Sequence, residues 1–143
     1  MRNKHRFLVA RISGSLEDTA KLSERDVLGE LKESILINFG NFGIGSAYPM
    51  LQVRSVDPSS GVCIIRASHD THRMVWISLT MMNNLRRKPI AINVEATAGC
   101  NRTLKFAAMQ AYARAYKLQG LSEEQARTLL HEKEAELNLA SLR

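Results

Sequence analysis

The stretch GVCIIRASHDTHRMVWISLTMMNNL, Gly61 to Leu85, constrains the fold of this chain most tightly. Its first part, Val62 to Ile65, is apolar at every position, so a strand here must be covered on both faces and belongs inside a sheet. After Arg66, the residues Ser68, His69, Asp70 and Thr71 bring hydroxyl and carboxylate groups that can cap a helix start. Val75, Leu79 and Met82 then recur at helical spacing, with Met74, Trp76 and Met81 widening the stripe. Strand, polar corner and amphipathic helix follow in direct succession, and the rest of the chain has to cover them.

Phe7 to Ile12 (FLVARI) reads as a second interior strand, apolar on both faces apart from Arg11. Ser23 opens a helix, with Asp26 placed three residues on as a weak capping box. Val27, Leu28, Leu31, Ile35 and Leu36 form its apolar stripe, and a stop is expected near Asn38 to Gly40. The following NFGNFGIGS holds Gly40, Gly43 and Gly45 and reads as a structural turn. A phosphate cradle would lead into a helix, whereas this segment leaves one and leads to a strand. Leu51 to Val56 alternates as strand two, and Asp57 to Gly61 forms the turn back into Val62. The basic run Arg86, Arg87, Lys88 precedes Pro89, which is expected to end the second helix. Ile90, Ile92, Val94 and Ala96 then alternate with more polar neighbours as strand four.

This order, β-α-β-β-α-β, is the split βαβ arrangement: an α/β fold (α+β sandwich) of ferredoxin-like, RRM-like type with an antiparallel sheet. Its spatial strand order is 4-1-3-2, which puts in the middle the two strands that are apolar on both faces. Two helices cover one face of such a sheet. The other face calls for cover from a helix between about Arg102 and Lys117, with Leu104, Ala107, Ala108, Ala111 and Ala115 as its stripe, or from a partner protein. Gly120 ends that helix, and Ser122 with Gln125 opens a last one carrying Leu129, Leu130 and Leu137. Residues 1–143 are expected to form a single domain, with 118–143 a C-terminal helical extension.

A chain of 143 residues, 45% hydrophobic, buries a core without metals or disulfides. Two cysteines, Cys63 and Cys100, without CxxC spacing point to a reducing compartment, and no apolar run reaches bilayer length or follows a secretory pattern. The net charge of +6 is uneven: residues 1–12 hold four bases and no acid, and residues 41–117 hold ten bases against three acids. Such asymmetry favours a polyanionic partner such as nucleic acid.

Candidate chemistry divides into two groups. His5, His69 and His72 invite a nuclease reading with imidazole acid and base and Lys88 or an arginine at the phosphorane, and His69, Asp70 and His72 a metal reading. The simpler account of both is an exposed helix cap. Cys63 reads as a core residue, and Cys100, beside basic residues, as a turn residue whose thiol pKa is open to lowering. Phosphate contacts have better candidates: the N-terminal Arg2, Lys4, His5 and Arg6, the loop Arg86, Arg87 and Lys88, and the helix start from Gly99 with Arg102 and Lys105. Each also reads as ordinary solvated surface. Base stacking on the sheet as in a strict RNA-recognition motif is excluded for strand three, because VCIIRA has no aromatic residue.

KHRFLV near the start, SILINFGNFGIGS, GVCIIRASHDTHRMVWISLTMM and AGCNRT together resemble ribonuclease P protein component 2, the Pop-five family, collinearly over most of the chain. The resemblance implies a non-catalytic protein subunit of ribonuclease P, which matures the 5′ ends of transfer RNA precursors, and in eukaryotes of ribonuclease MRP. Catalysis would belong to the RNA and its Mg2+, with no cofactor bound by the protein. Implied partners are the ribonuclease P/MRP RNA, precursor tRNA and the component 3 (Rpp-thirty-like) subunit, with a homodimer inside a heterotetramer and no membrane. The family's basic motif falls on Lys4, His5 and Arg6, its strand-three arginine on Arg66, and its Gly-x-x-Arg turn on Gly99 and Arg102. Departures are the corner Ala67, Ser68, His69, Asp70, more basic in many relatives, and Asn101 in place of an aliphatic residue. The loop and the Val75-Trp76 pattern look eukaryotic, implying nucleus and nucleolus, with archaeal cytoplasm as the alternative. A second reading, from another class, is a ferredoxin-like regulatory or dimerisation module binding a small anion.

Overall fold

The computed structural model describes residues 4–14, 23–85 and 88–141. Its elements are β1 (His5–Gly14), α1 (Glu24–Ala47), a 3-10 turn (Tyr48–Met50), β2 (Gln52–Val56), β3 (Val62–Ser68), α2 (His72–Met81), β4 (Asn84–Leu85), β5 (Lys88–Ala98), α3 (Asn101–Leu118) and α4 (Glu123–Ser141). The antiparallel sheet runs β2-β3-β1-β5-β4. The expected fourth strand is β5, so the ferredoxin-like order stands, extended by the two residues of β4 at one edge. β1 and β3 lie inside the sheet, and Leu8, Val9, Ala10, Val62, Cys63 and Ile65 are fully buried. Each of the buried Leu, Val and Ile side chains among them contributes about 1.5–3 kcal/mol.

One core lies between the sheet and α1 with α2, built on Leu8, Ile12, Leu31, Ile35, Ile65 and Leu79. A second lies on the opposite face, where Phe7, Val9, Val62 and Ile64 meet Leu104, Ala108, Tyr112 and Tyr116 of α3, with Leu129, Leu130 and Leu137 of α4 at its margin. Of the two covers expected for this face, the chain's own helices supply it. Small residues at 108, 111 and 115 let α3 lie close against the strands. A buried carboxylate aids the docking: Glu95 of β5 meets Arg11 of β1 at 3.2 Å and Arg114 of α3 at 3.5 Å.

Local signals act as chemistry requires. Ser23 and Asp26 form a reciprocal capping box at α1, and Ser122 with Gln125 does the same before α4. Gly120, at φ +77°, closes α3. At the α2 start, Ser68 rather than Thr71 does the side-chain work, its Oγ accepting the Thr71 N–H at 3.2 Å.

Two expected boundaries move. The segment NFGNFGIGS is not a turn: α1 continues through it to Ala47, broken only at Gly40 (φ 72°, ψ −169°). Gly43 stays helical and buried, because a Cβ there would stand 2.5 Å from Cβ of Phe39 and 3.4 Å from Sδ of Met74. Its missing side chain thus serves close packing. The second helix ends at Met81, well before Pro89. Beyond it Asn84–Leu85 pairs with Lys88 and Pro89, and Leu85 returns to the core, 3% exposed. Sheet pairing and that anchor outcompete a further helical turn.

Candidate nucleic-acid interface

Strand register gathers residues that are far apart in sequence. Phe7 of β1 lies opposite Arg66 of β3 on one side and Ala98 of β5 on the other, and Arg66 lies opposite Gln52 of β2. The N-terminal basic motif, the β3 arginine and the Gly99 turn therefore meet at one end of the sheet. Lys4 is exposed, with its carbonyl accepting the His69 N–H at 3.0 Å. Arg6 donates from Nη1 to the His5 carbonyl at 3.0 Å, and its guanidinium lies against Gly99, 3.4 Å from where a Cβ would stand. Glycine at 99 leaves room for that guanidinium to lie over the backbone.

Arg66 Nη2 approaches His5 Nδ1 at 3.4 Å, and the His5 ring meets Phe7 edge-on at 5.2 Å. Burial, together with Arg66, Arg54 and Arg6, pushes the His5 pKa below its ordinary value. The imidazole is thus kept neutral beside the arginines. Arg66 Nε is buried without a hydrogen-bond partner. Among the described residues no carboxylate pairs with Arg6, Arg54 or Arg66. Guanidinium groups crowded together without acids repel one another and create a strong positive field that a polyanion relieves.

Arg54 was not singled out from the sequence. A register shift between Val53 and Ser55 leaves it as an extra residue in β2, and its guanidinium stands 5.5 Å from the Phe7 ring centre. The available signal was its place one residue after the apolar Val53, on the face shared with Gln52 and Arg66.

The other anticipated bases separate. Arg102 is exposed in the first turn of α3, a turn without acids. Lys105 instead pairs with Glu134 of α4 at 3.4 Å. Lys88 begins β5, opposite the end that carries Ala98, roughly 30 Å along the strand from the arginine cluster. Arg2, Arg86 and Arg87 lie outside the described residues.

His69 and His72 stand with ring centres 5.6 Å apart, His69 exposed just before α2 and His72 half-buried in its first turn. His72 Nδ1 is tied to the His69 carbonyl and His69 Nδ1 lies 3.4 Å from Asp70 Oδ1, so one imidazole of the pair is engaged in capping. Among the described residues no group of three or more His, Cys, Asp or Glu side chains is placed to hold a metal ion. Cys63 is buried, its thiol pushed up to about 12, whereas exposed Cys100 is shifted down by hydrogen bonds from Thr103.

Residues 6–109 match the model of the Rpp14/Pop5 family. The chain is 31% identical over 122 residues to a probable ribonuclease P/MRP protein subunit POP5 of Arabidopsis thaliana, covering 74% of this chain and 81% of that protein. Identity to a ribonuclease P/MRP protein subunit POP5 of Schizosaccharomyces pombe is 29% over 80 residues, 56% of this chain and 58% of that one. A chain in the cryo-EM structure of yeast ribonuclease MRP has the same fold at a TM-score of 0.58 and 14% identity, over 71% of this chain and 79% of its own.

Proposed function

We propose, because this chain belongs to the Rpp14/Pop5 family, that its arginine corner grips structured RNA inside a ribonucleoprotein. The protein is a subunit of ribonuclease P/MRP, and its work is tRNA processing. One observation carries the RNA-contacting role: His5, Arg6, Arg54 and Arg66 converge beside the Gly99 turn with no carboxylate among the described residues to neutralise them. Phosphates entering there displace counterions, and neighbouring RNA helices can then pack together. The RNA supplies the chemistry and holds the Mg2+, and the protein braces the RNA's catalytic core while precursor tRNA is cleaved.

The component 3 subunit takes a different surface in this reading. Ile37, Ile77 and Met81, on the outer side of α1 and α2, are 79%, 50% and 59% exposed, an apolar strip of the kind protein partners cover. The eukaryotic source of these relatives supports a nuclear and nucleolar address in this reading. The small-anion module finds no support. The cleft of about 250 Å³ between α1 and the end of α2 is lined by Glu30 and Glu33, which repel anions.

The test is RNA binding by the full chain against a ribonuclease P RNA transcript, titrated with salt. Arg66→Ala combined with Arg54→Ala is expected to weaken binding and flatten the salt dependence while far-UV circular dichroism is unchanged. Equal affinity and slope for this variant and the wild type would sink the assignment.

A further inference from the structure

Helix α3 contains no acidic residue at all: NRTLKFAAMQAYARAYKL carries Arg102, Lys105, Arg114 and Lys117 alone. The structure sorts these four bases. Lys105 is paired with Glu134 and Arg114 with Glu95, whereas Arg102 and Lys117 have no carboxylate partner among the described residues. Both lie on the side of α3 turned away from the sheet and from α4. Along that side Arg102, Phe106, Gln110, Ala113 and Lys117 follow at helical spacing, and all five are exposed. Phe106 is 67% exposed, one turn beyond Arg102.

From this ridge we propose a second RNA-contacting site, an open track for an unpaired stretch of RNA. Phe106 stacks an unpaired base, and Arg102 and Lys117 hold phosphates to either side. Stacking on an exposed ring is indifferent to sequence because every base has a π-face, and basic residues beside it follow the backbone. The ridge is roughly 22 Å from Arg102 to Lys117, long enough for a short run of nucleotides. Charge complementarity selects this occupant. A protein-binding strip such as that at Ile37 and Met81 is apolar, whereas Phe106 stands alone among Arg102, Gln110 and Lys117. The site rests on the RNA-contacting reading above, and lies on the helix rather than at the strand ends.

The experiment uses the full chain with two probes, the ribonuclease P RNA transcript and a short oligouridine, and photo-crosslinks the oligonucleotide through 5-iodouridine. The wild type is expected to bind oligouridine and to crosslink at Phe106. Phe106→Ala should lose roughly tenfold in oligouridine affinity, with Phe106→Trp restoring it. Arg102→Ala and Lys117→Ala should each lower the slope of log affinity against log salt by about 0.7. Unaltered oligouridine binding in Phe106→Ala overturns the track. If the transcript then still needs Arg54 and Arg66, the strand-end reading survives alone. Loss of a protein subunit from the Phe106→Ala complex with RNA affinity intact likewise overturns it, in favour of protein docking. All these residues are exposed, so circular dichroism should show each variant folded.

Discussion

The Nδ1 atom of His5 stands 3.4 Å from Nη2 of Arg66, so the imidazole must be neutral there to accept from the guanidinium. Arg54 and Arg6 are the further cations that hold its pKa below 6.5. A histidine lowered in the native state is protonated first in the unfolded chain. Its contribution is complete above pH 6.5 and is lost as the pH falls toward the lower native value. Thermal melts between about pH 5 and pH 7.5 should show wild-type stability falling on the acid side, and His5→Gln should fall less. An identical acid limb in the two proteins would remove His5 from this account.

Arg102 and Lys105, adjacent turns of one basic segment in sequence, should behave differently. Lys105 is already paired with Glu134, and Arg102 faces water. In a complex reconstituted at limiting magnesium, Arg102→Ala should reduce activity more than Lys105→Ala, and the fold should survive both. Equal effects would mean that the Glu134 pair opens on RNA binding.

Lys133 of α4 lies 3.3 Å from Oδ2 of Asp57 in the β2–β3 turn, with side chains only 15% and 11% exposed. Burial raises the Asp57 pKa, but hydroxyls of Ser60 and Ser59 and the Lys133 ammonium outweigh it, and the carboxyl sits below its ordinary value. Lys133→Met leaves that carboxylate without its cation, and urea unfolding should show a loss of roughly 1–3 kcal/mol, between exposed and buried pairs. The wild-type contribution is full above pH 3.8 and declines as the pH falls through the depressed native pKa.

Gly61 has φ +77°, and a Cβ there would stand 2.4 Å from the carbonyl oxygen of Ile12, which lies in β1. Its own carbonyl accepts the Ile12 N–H at 2.8 Å, so the contact cannot relax without opening β1 from the turn. Gly61→Ala should cost roughly 2–4 kcal/mol by chemical denaturation, combining left-handed strain with overpacking.

The two thiols should separate cleanly under alkylation. Cys100 is exposed with a lowered pKa, and Cys63 is buried with its thiol at about 12. Iodoacetamide in native buffer should modify Cys100 alone by mass spectrometry, with Cys63 following only in denaturant. Raising the pH toward the ordinary thiol value should accelerate Cys100 less than a free cysteine, since more of it is already thiolate.

How far the chain could be read in advance depended on the range of each interaction. Val62 to Ile65 and Phe7 to Ile12 were legible as interior strands because cover on both faces demands apolar side chains at both parities, and connectivity then gave the strand order. Ser23, Gly120 and Ser122 were legible because caps act within one turn. The path of α1 through Gly40 was not, since glycine is tolerated at 43 only when Phe39 and Met74 crowd it from another turn and another helix. Arg54 joined the basic corner through the pairing of β2 with β3, which sets it over Phe7, and Lys105 left the group of open bases through Glu134, on a different helix. Sequence alone thus determined the sheet, its interior strands and the basic character of the surface. Which cations meet and which are neutralised was decided only by tertiary packing, because ion pairs and cation–π contacts join residues that no local pattern brings together.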